Sequence, residues 1–282
     1  MTGETVVWLD GALVDAATAS MHWSDHGITV GDGAFETIEI RAGSPFALTR
    51  HLDRLEGSCR GLRFAAPRRS DLLDAVTAVC DEWGPRPGRL RVTVTTGPGP
   101  AGSERGHGPP TLLVTASPMT IRTDPTRVCT VPFTRNETGA LVGLKTTSYA
   151  ENVVALDVAR EQGASEAIFA DTVGNLCEGT GTNVFVAFDG RLVTPPLSTG
   201  CLAGVTRALL IEALDAAGAP ALEEPTPFVR LREAYEAFLV STARHVQPIS
   251  HVDGVALGSC PGPLTAHAAA VWHDTYHDAI DP

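Results

Sequence analysis

The chain has 282 residues, enough for two cores, and its 43% hydrophobic and 19% charged residues are ordinary globular composition that excludes a disordered chain. A formal charge of −12, from 21 basic against 33 acidic residues, excludes a general nucleic-acid binder, because phosphate backbones are held by clustered Lys and Arg. No apolar run of about 18 residues occurs and Met1 to Asp15 carries no basic stretch followed by an apolar one, so a cytoplasmic protein without membrane contact is expected.

In chain order, Val6 to Leu9 with a turn at Asp10-Gly11 reads as a hairpin, and the alternation of Ala34 to Ile40 as a strand. Helical spacing follows from about Arg50 to Arg63 and from Asp71 to Trp83, the latter behind Ser70 as N-cap. Arg89 to Thr96 alternates as a strand. Four prolines and five glycines between Gly97 and Pro110 mark a long loop, and Thr111 to Thr115 returns as a strand. We expect an N-terminal α/β domain over 1–117, a polar connector over 118–127, and a second domain over 128–282. In the latter, a strand near Val128 to Val131, a helix from Asn152 to Arg160, strands at Ala167 to Ala170 and Asn183 to Phe188, a helix from Val205 to Ala217 and a buried strand at Phe238 to Val240 are expected. The His-, Asp- and Ala-rich tail is left open between helix and frayed end.

Six scattered cysteines lack metal-ligand or CxxC spacing, so no metal site is expected. Gly31-Asp32-Gly33 and Gly179-Thr180-Gly181 both lead into strands, and prolines break the third glycine-rich stretch. A phosphate-cradling fingerprint has to open a helix, so nucleotide-loop and oxidoreductase readings fail.

Lys145 is the only lysine; the other 20 basic residues are arginine. It stands between the apolar Leu141 to Leu144 and the uncharged Thr146 to Tyr149. It is either a snorkelling side chain at a strand end or an amine whose burial favours the neutral, nucleophilic form, ready for a Schiff base with an aldehyde cofactor.

Leu144 to Tyr149, Gly163 to Ala167, Cys177 to Phe185 and Thr194 to Arg207 together resemble the class IV aminotransferase family, as do Gly31 to Glu36 and His51 to Leu55. The resemblance implies an α/β (α+β) fold of type IV with pyridoxal 5'-phosphate in the interdomain cleft, a homodimer, and 128–282 as the cofactor-binding domain. It further implies that Lys145 carries the cofactor and moves the proton, and that Glu178 pairs with the ring nitrogen. Arg54, Thr206 and the backbone N–H groups near Val205 would hold the phosphate. Tyr149 would bond the phenolic oxygen, Leu202 would pack on the ring, and Ser241 and Thr242 would add hydroxyls.

Three activities remain open on this scaffold: branched-chain transamination, D-amino acid transamination with 2-oxoglutarate or pyruvate, and 4-amino-4-deoxychorismate lyase, which makes 4-aminobenzoate for folate biosynthesis. Thr37, two residues past Phe35, matches the lyase subgroup and would relay a proton. Arg91 and Arg105 match its diacid-binding residues, with Phe35 and His26 also facing substrate. The arginine of the D-amino acid carboxylate trap is replaced by Thr96. A non-catalytic binding relative is disfavoured by the presence of both Lys145 and Glu178. His51 and six other histidines receive no role.

Overall fold

The computed structural model describes residues 5–282, which divide into two compact units. One comprises the chain to Thr120 with Leu144–Tyr149 and Ile280–Pro282, and the other Ile121–Gly143 with Ala150–Ala279.

The first unit holds β1 (Val6–Leu9), β2 (Ala12–Val14), the short α1 (His26–Thr29), β3 (Gly33–Arg41), β4 (Ser44–Pro45), α2 (Leu48–Gly61), α3 (Arg69–Trp83), β5 (Gly88–Thr95) and β6 (Thr111–Ser117). Its strands form an antiparallel sheet in the order β2-β1-β6-β5-β3-β4. Because side chains alternate along a strand, Ile38 and Ile40 point to one face with Leu90, Val92, Val94, Val114 and Ala116. Leu52 and Leu55 of α2 and Leu72, Val76 and Val79 of α3 cover that face, each fully or almost fully buried. The opposite face carries Phe35 and Thr37, with Arg91 directly opposite Thr37 and Thr93 opposite Phe35. Ser70 lies inside α3 and not at its cap: Arg68 occupies that position, and it bonds no backbone amide with its side chain. Its guanidinium pairs with Asp71 instead.

The second unit holds β7 (Thr126–Arg135), α4 (Ala150–Glu161), β8 (Glu166–Asp171), β9 (Leu176–Gly179), β10 (Asn183–Phe188), β11 (Arg191–Thr194), α5 (Val205–Ala216), β12 (Leu222–Glu223), β13 (Glu236–Ser241), β14 (His245–Val252), β15 (Val255–Ala256) and α6 (Pro263–Tyr276). The sheet is mixed, in the order β12-β11-β10-β13-β14-β7-β8-β9, with β15 on β14. Its pairs β14–β7 and β7–β8 are parallel. The architecture is therefore α+β, with one antiparallel and one mixed sheet.

The division departs from the expected boundaries at one place that matters. Leu144–Tyr149 packs with the first unit although its sequence neighbours belong to the second. The cause is backbone pairing: the Phe35 N–H donates to the Lys145 carbonyl at 3.0 Å, the Thr147 N–H to the Gly33 carbonyl at 2.8 Å, and Ala34 bridges Thr146. Gly33 permits this approach, since a Cβ there would come 2.7 Å from the Val94 carbonyl oxygen.

The tail forms α6, whose N-cap Gly262 offers no side chain. Its first amides are instead capped by Glu236 of β13, which accepts from Leu264 N–H at 3.1 Å and Thr265 N–H at 2.7 Å. No helix among the described residues is long and apolar enough to cross a membrane. Glu236→Ala should strand these amides and cost about 1–3 kcal/mol, read as a lower denaturant midpoint for the second unit; an unchanged midpoint would mean that water caps the helix equally well.

Candidate active site

Residues 51, 54 and 58 lie three and four apart, so His51, Arg54 and Ser58 share one face of α2. That face meets the chain around Lys145. The Lys145 N–H donates to the Ser58 hydroxyl at 3.1 Å, which adds a third tether to the two backbone bonds that flank the lysine.

The Lys145 side chain is half-buried. Its Nζ lies 4.4 Å from the centre of the Phe35 ring and 5.7 Å from that of Tyr149, and the two rings meet edge to face at 5.2 Å. The Arg91 guanidinium also rests on Phe35, at 3.8 Å, and donates to the Thr93 hydroxyl at 3.3 Å. Four residues expected to serve the site, Lys145, Tyr149, Phe35 and Arg91, are thus brought together, with Thr37 beside Arg91 on the adjoining strand.

Behind β3, Glu36 is a fully buried carboxylate. Arg54 grips it with Nε on Oε1 at 2.8 Å and Nη2 on Oε2 at 2.7 Å, and His51 Nδ1 reaches Oε2 at 2.7 Å. Burial alone would raise the Glu36 pKa, but the Arg54 charge, its hydrogen bonds and His51 outweigh that and hold it at about 2. Burial pushes the His51 pKa down, against the upward pull of Glu36, so the imidazole is neutral with its proton on Nδ1, donating to the carboxylate. The sequence left His51 without a role; its place one turn before Arg54 on the same helical face was the available signal.

Asp32 gathers residues that the sequence assigned to substrate. Arg105 forks onto it with Nε and Nη2, both at 2.7 Å, and also donates to the carbonyls of Leu62 and Arg63 at 2.8 and 3.1 Å. Thr96 donates to the same carboxylate at 2.9 Å. Burial would raise the Asp32 pKa, but the Arg105 and Thr96 hydrogen bonds hold it below the usual carboxylate range. His26 is buried, bonds the Pro100 carbonyl through Nε2 at 2.9 Å, and its Nδ1 is 3.9 Å from Asp32. Arg105 and His26 are therefore engaged in holding the 97–110 loop, and a ligand carboxylate would have to compete with Asp32 for Arg105.

In the second unit, Glu178 lies on β9 and not in a solvated turn. Its Oε2 accepts the Leu202 N–H at 2.9 Å and its Oε1 faces Arg135 Nε at 3.3 Å, a separation without hydrogen-bond alignment. Arg135, at the end of β7, stacks on Phe169 at 4.0 Å and donates to Glu151 at 2.6 Å. Nothing local in the sequence announces Arg135, because its partner arrives from a distant strand.

α5 starts at Val205 behind Gly204, with no side-chain cap, so its first amides are open donors for an anion, and the buried Thr206 stands among them. Asn183 of β10 braces the approach by donating to the Leu202 carbonyl at 2.9 Å. β13 pairs with β10 so that Val240 faces Asn183, which puts Ser241 and Thr242 at that same end of the sheet.

The Glu36 network sets a pH dependence. Glu36 has its ordinary pKa of 4.5 when unfolded and about 2 when folded, so its stabilisation is complete above 4.5 and is lost as pH falls towards 2. The shift corresponds to about 3 kcal/mol. His51 adds a loss that begins below its ordinary 6.5, because only the unfolded chain takes up the proton readily. The opening free energy of β3 and α2, taken from amide exchange corrected for its intrinsic slowing in acid, should decline between pH 4.5 and 2, and Glu36→Gln should flatten that part of the profile; an equal decline in the variant would place the acid sensitivity elsewhere.

The class IV amino-transferase family model matches residues 33–252. A putative branched-chain-amino-acid aminotransferase of Methanocaldococcus jannaschii is 34% identical over 253 residues, covering 88% of each chain. A bifunctional aminodeoxychorismate lyase/D-amino acid transaminase of Mycobacterium tuberculosis is 28% identical over 277 residues, covering 91% of this chain and 94% of its own. The solved structure of a hypothetical aminotransferase of Mycobacterium tuberculosis in its pyridoxal-phosphate-bound form superposes with a TM-score of 0.86 at 27% identity, covering 97% of this chain and 99% of its own. With its lysine flanked by aromatic rings and its carboxylate braced on a strand, the chain belongs to the class IV aminotransferases, enzymes that work through pyridoxal phosphate.

Proposed function

We propose that this enzyme is a 4-amino-4-deoxychorismate lyase that releases pyruvate and leaves 4-aminobenzoate, a contribution to folate biosynthesis. Bound pyridoxal phosphate supplies an electron sink for the carbanion formed next to the substrate nitrogen. The residues suit the cofactor: a lone lysine amine against two aromatic rings, a carboxylate braced by Leu202 N–H and Arg135, and an uncapped helix N-terminus.

In this reading Lys145 holds the cofactor and afterwards moves the proton with its Nζ. Glu178 accepts the ring N–H, Tyr149 bonds the phenolic oxygen and Leu202 covers the ring. Arg54, Thr206 and the amide of Val205 bind the phosphate, with the Ser241 and Thr242 hydroxyls assisting. Arg91 receives a substrate carboxylate and Phe35 packs on the substrate. Thr37 relays the proton that aromatises the product. The enzyme works as a cytoplasmic homodimer.

The observation that carries this reading is the register of β3 on β5. It sets Thr37 directly opposite Arg91, one alternation along from Phe35, whose ring meets Lys145 Nζ at 4.4 Å. Transamination of D- or branched-chain amino acids with 2-oxoglutarate or pyruvate is the second reading. It is favoured by the branched-chain and D-alanine aminotransferases among the relatives and by the engagement of Arg105 with Asp32, which leaves Arg91 to receive the one carboxylate of a monocarboxylic amino acid.

Purified holoenzyme given 4-amino-4-deoxychorismate should form 4-aminobenzoate and pyruvate in equal amounts, and Lys145→Ala should abolish both. Thr37→Val should lower that rate about 100-fold, the worth of one positioned proton donor, while any transamination of D-alanine or L-leucine persists. No 4-aminobenzoate alongside turnover of either amino acid would make the chain a transaminase.

A further inference from the structure

Glu36 stands where a hydrophobic residue would serve the core better. It occupies the core-side face of β3 in the same alternation as Ile38 and Ile40, and it is fully buried. Burying a carboxylate carries a desolvation cost of several kcal/mol, and a buried ion pair commonly gives less stability than well-packed apolar side chains of similar volume. Stability alone does not account for a buried acid here. What the carboxylate does accomplish is geometric.

We propose that Glu36 is a positioning residue that acts through Arg54 to make the enzyme selective for the phosphorylated form of its cofactor. The inference rests on the assignment of Arg54 to the phosphate. A guanidinium is planar, and a carboxylate that takes Nε and Nη2 together fixes both its plane and the direction of its remaining edge. Arg54 is 15% exposed while Glu36 is 0% exposed, so the buried acid holds the inner edge of a side chain whose other end reaches the surface.

The carboxylate is itself fixed from the far side. The His51 Nδ1–H donates to Oε2, the oxygen that also receives Arg54 Nη2, so both carboxylate oxygens are engaged and the group cannot rotate without losing a charge-assisted bond. His51 and Arg54 sit on one face of α2, and the same face supplies Ser58 to the Lys145 N–H. A single rigid helix thus sets the guanidinium and the backbone of the cofactor-holding lysine in one frame. A pre-set guanidinium binds a phosphate without first losing side-chain freedom, and pyridoxal, which lacks the phosphate, gains nothing from it.

The experiment compares dissociation constants of pyridoxal phosphate and pyridoxal for the apoprotein, followed by absorbance and fluorescence titration. Full-length wild type, Glu36→Gln, Glu36→Asp, Arg54→Ala and the Glu36→Gln/Arg54→Ala double variant are titrated, each first checked for folding by its unfolding transition. Glu36→Gln should weaken pyridoxal phosphate at least 10-fold and leave pyridoxal within about 2-fold, and the double variant should be no less selective than Arg54→Ala alone. Glu36→Asp keeps the charge but withdraws it by one methylene, so it should show the same selective loss and serves where the Gln variant does not fold. Equal weakening of both ligands, or of neither, overturns the proposal and leaves Glu36 a structural acid. If Arg54→Ala shows no phosphate-selective loss, the assignment of Arg54 to the phosphate falls, and the proposal with it. If Arg54→Ala shows that loss and neither Glu36 variant does, the proposal alone falls.

Discussion

The first unit is organised around the capture of a six-residue segment by a strand end. Lys145 is tied through its carbonyl to Phe35, through its amide to Ser58, and through its neighbour Thr147 to Gly33. Two polar bonds on Lys145 and a third on Thr147 leave the backbone little freedom, so the position of Nζ depends mainly on side-chain torsions that Phe35 and Tyr149 restrict. The tie explains why Gly33 begins β3 and why Gly31 precedes it: with φ at +70° and a Cβ that would come 2.7 Å from the Ser148 hydroxyl, Gly31 fills a position that few other residues could. The Gly31-Asp32-Gly33 motif belongs to the chemistry because it makes room for the segment that carries the lysine.

The acids of the two units show one principle in different settings. Glu36 and Asp32 are each met by an arginine fork, and Glu178 by an arginine and a backbone amide. For Glu36 and Asp32 the arginine fixes the direction of the carboxylate as well as balancing its charge, whereas at Glu178 the Leu202 amide sets the direction and Arg135 supplies charge alone. A chain with one lysine and many arginines suits this arrangement, since an ammonium is a point charge and cannot set a plane. Keeping lysine for one position also leaves a single amine of that kind able to condense with an aldehyde.

The elements that rest on local periodicity were legible in the sequence. β1, β3, β5, α2, α3, α4 and α5 lie within a few residues of their expected limits, because alternation and helical spacing record which face is buried. The elements that rest on tertiary partners were not. α6 has a glycine at its cap position and borrows Glu236 from β13, so the one local mark of its start is Pro263 at the first helical position. β9 is four residues long and is defined by its pairing with β8, so no strand was expected around Glu178, whose role rested on the family resemblance. Leu144–Tyr149 was assigned to the second domain because sequence continuity is the only guide to domain membership until backbone pairing is seen.

The same distinction separates the site residues. Lys145, Phe35, Tyr149 and Arg91 declared themselves through rarity, motif and alternation, and they are found together. Arg105 was matched to substrate on its residue type in a loop, yet what an arginine binds is decided by which acid reaches it first. Asp32, covalently next to Gly33 and fixed by the same turn, is already within reach, so any substrate acid has to displace a bidentate partner that loses no translational freedom on binding. Arg91 meets no such competitor among the described residues, only an aromatic face and a hydroxyl, neither of which neutralises its charge. Between two arginines on one unit, the electrostatic preference of an incoming carboxylate is therefore for Arg91, and the number of acidic groups a substrate carries is constrained by what the protein has already paired with itself.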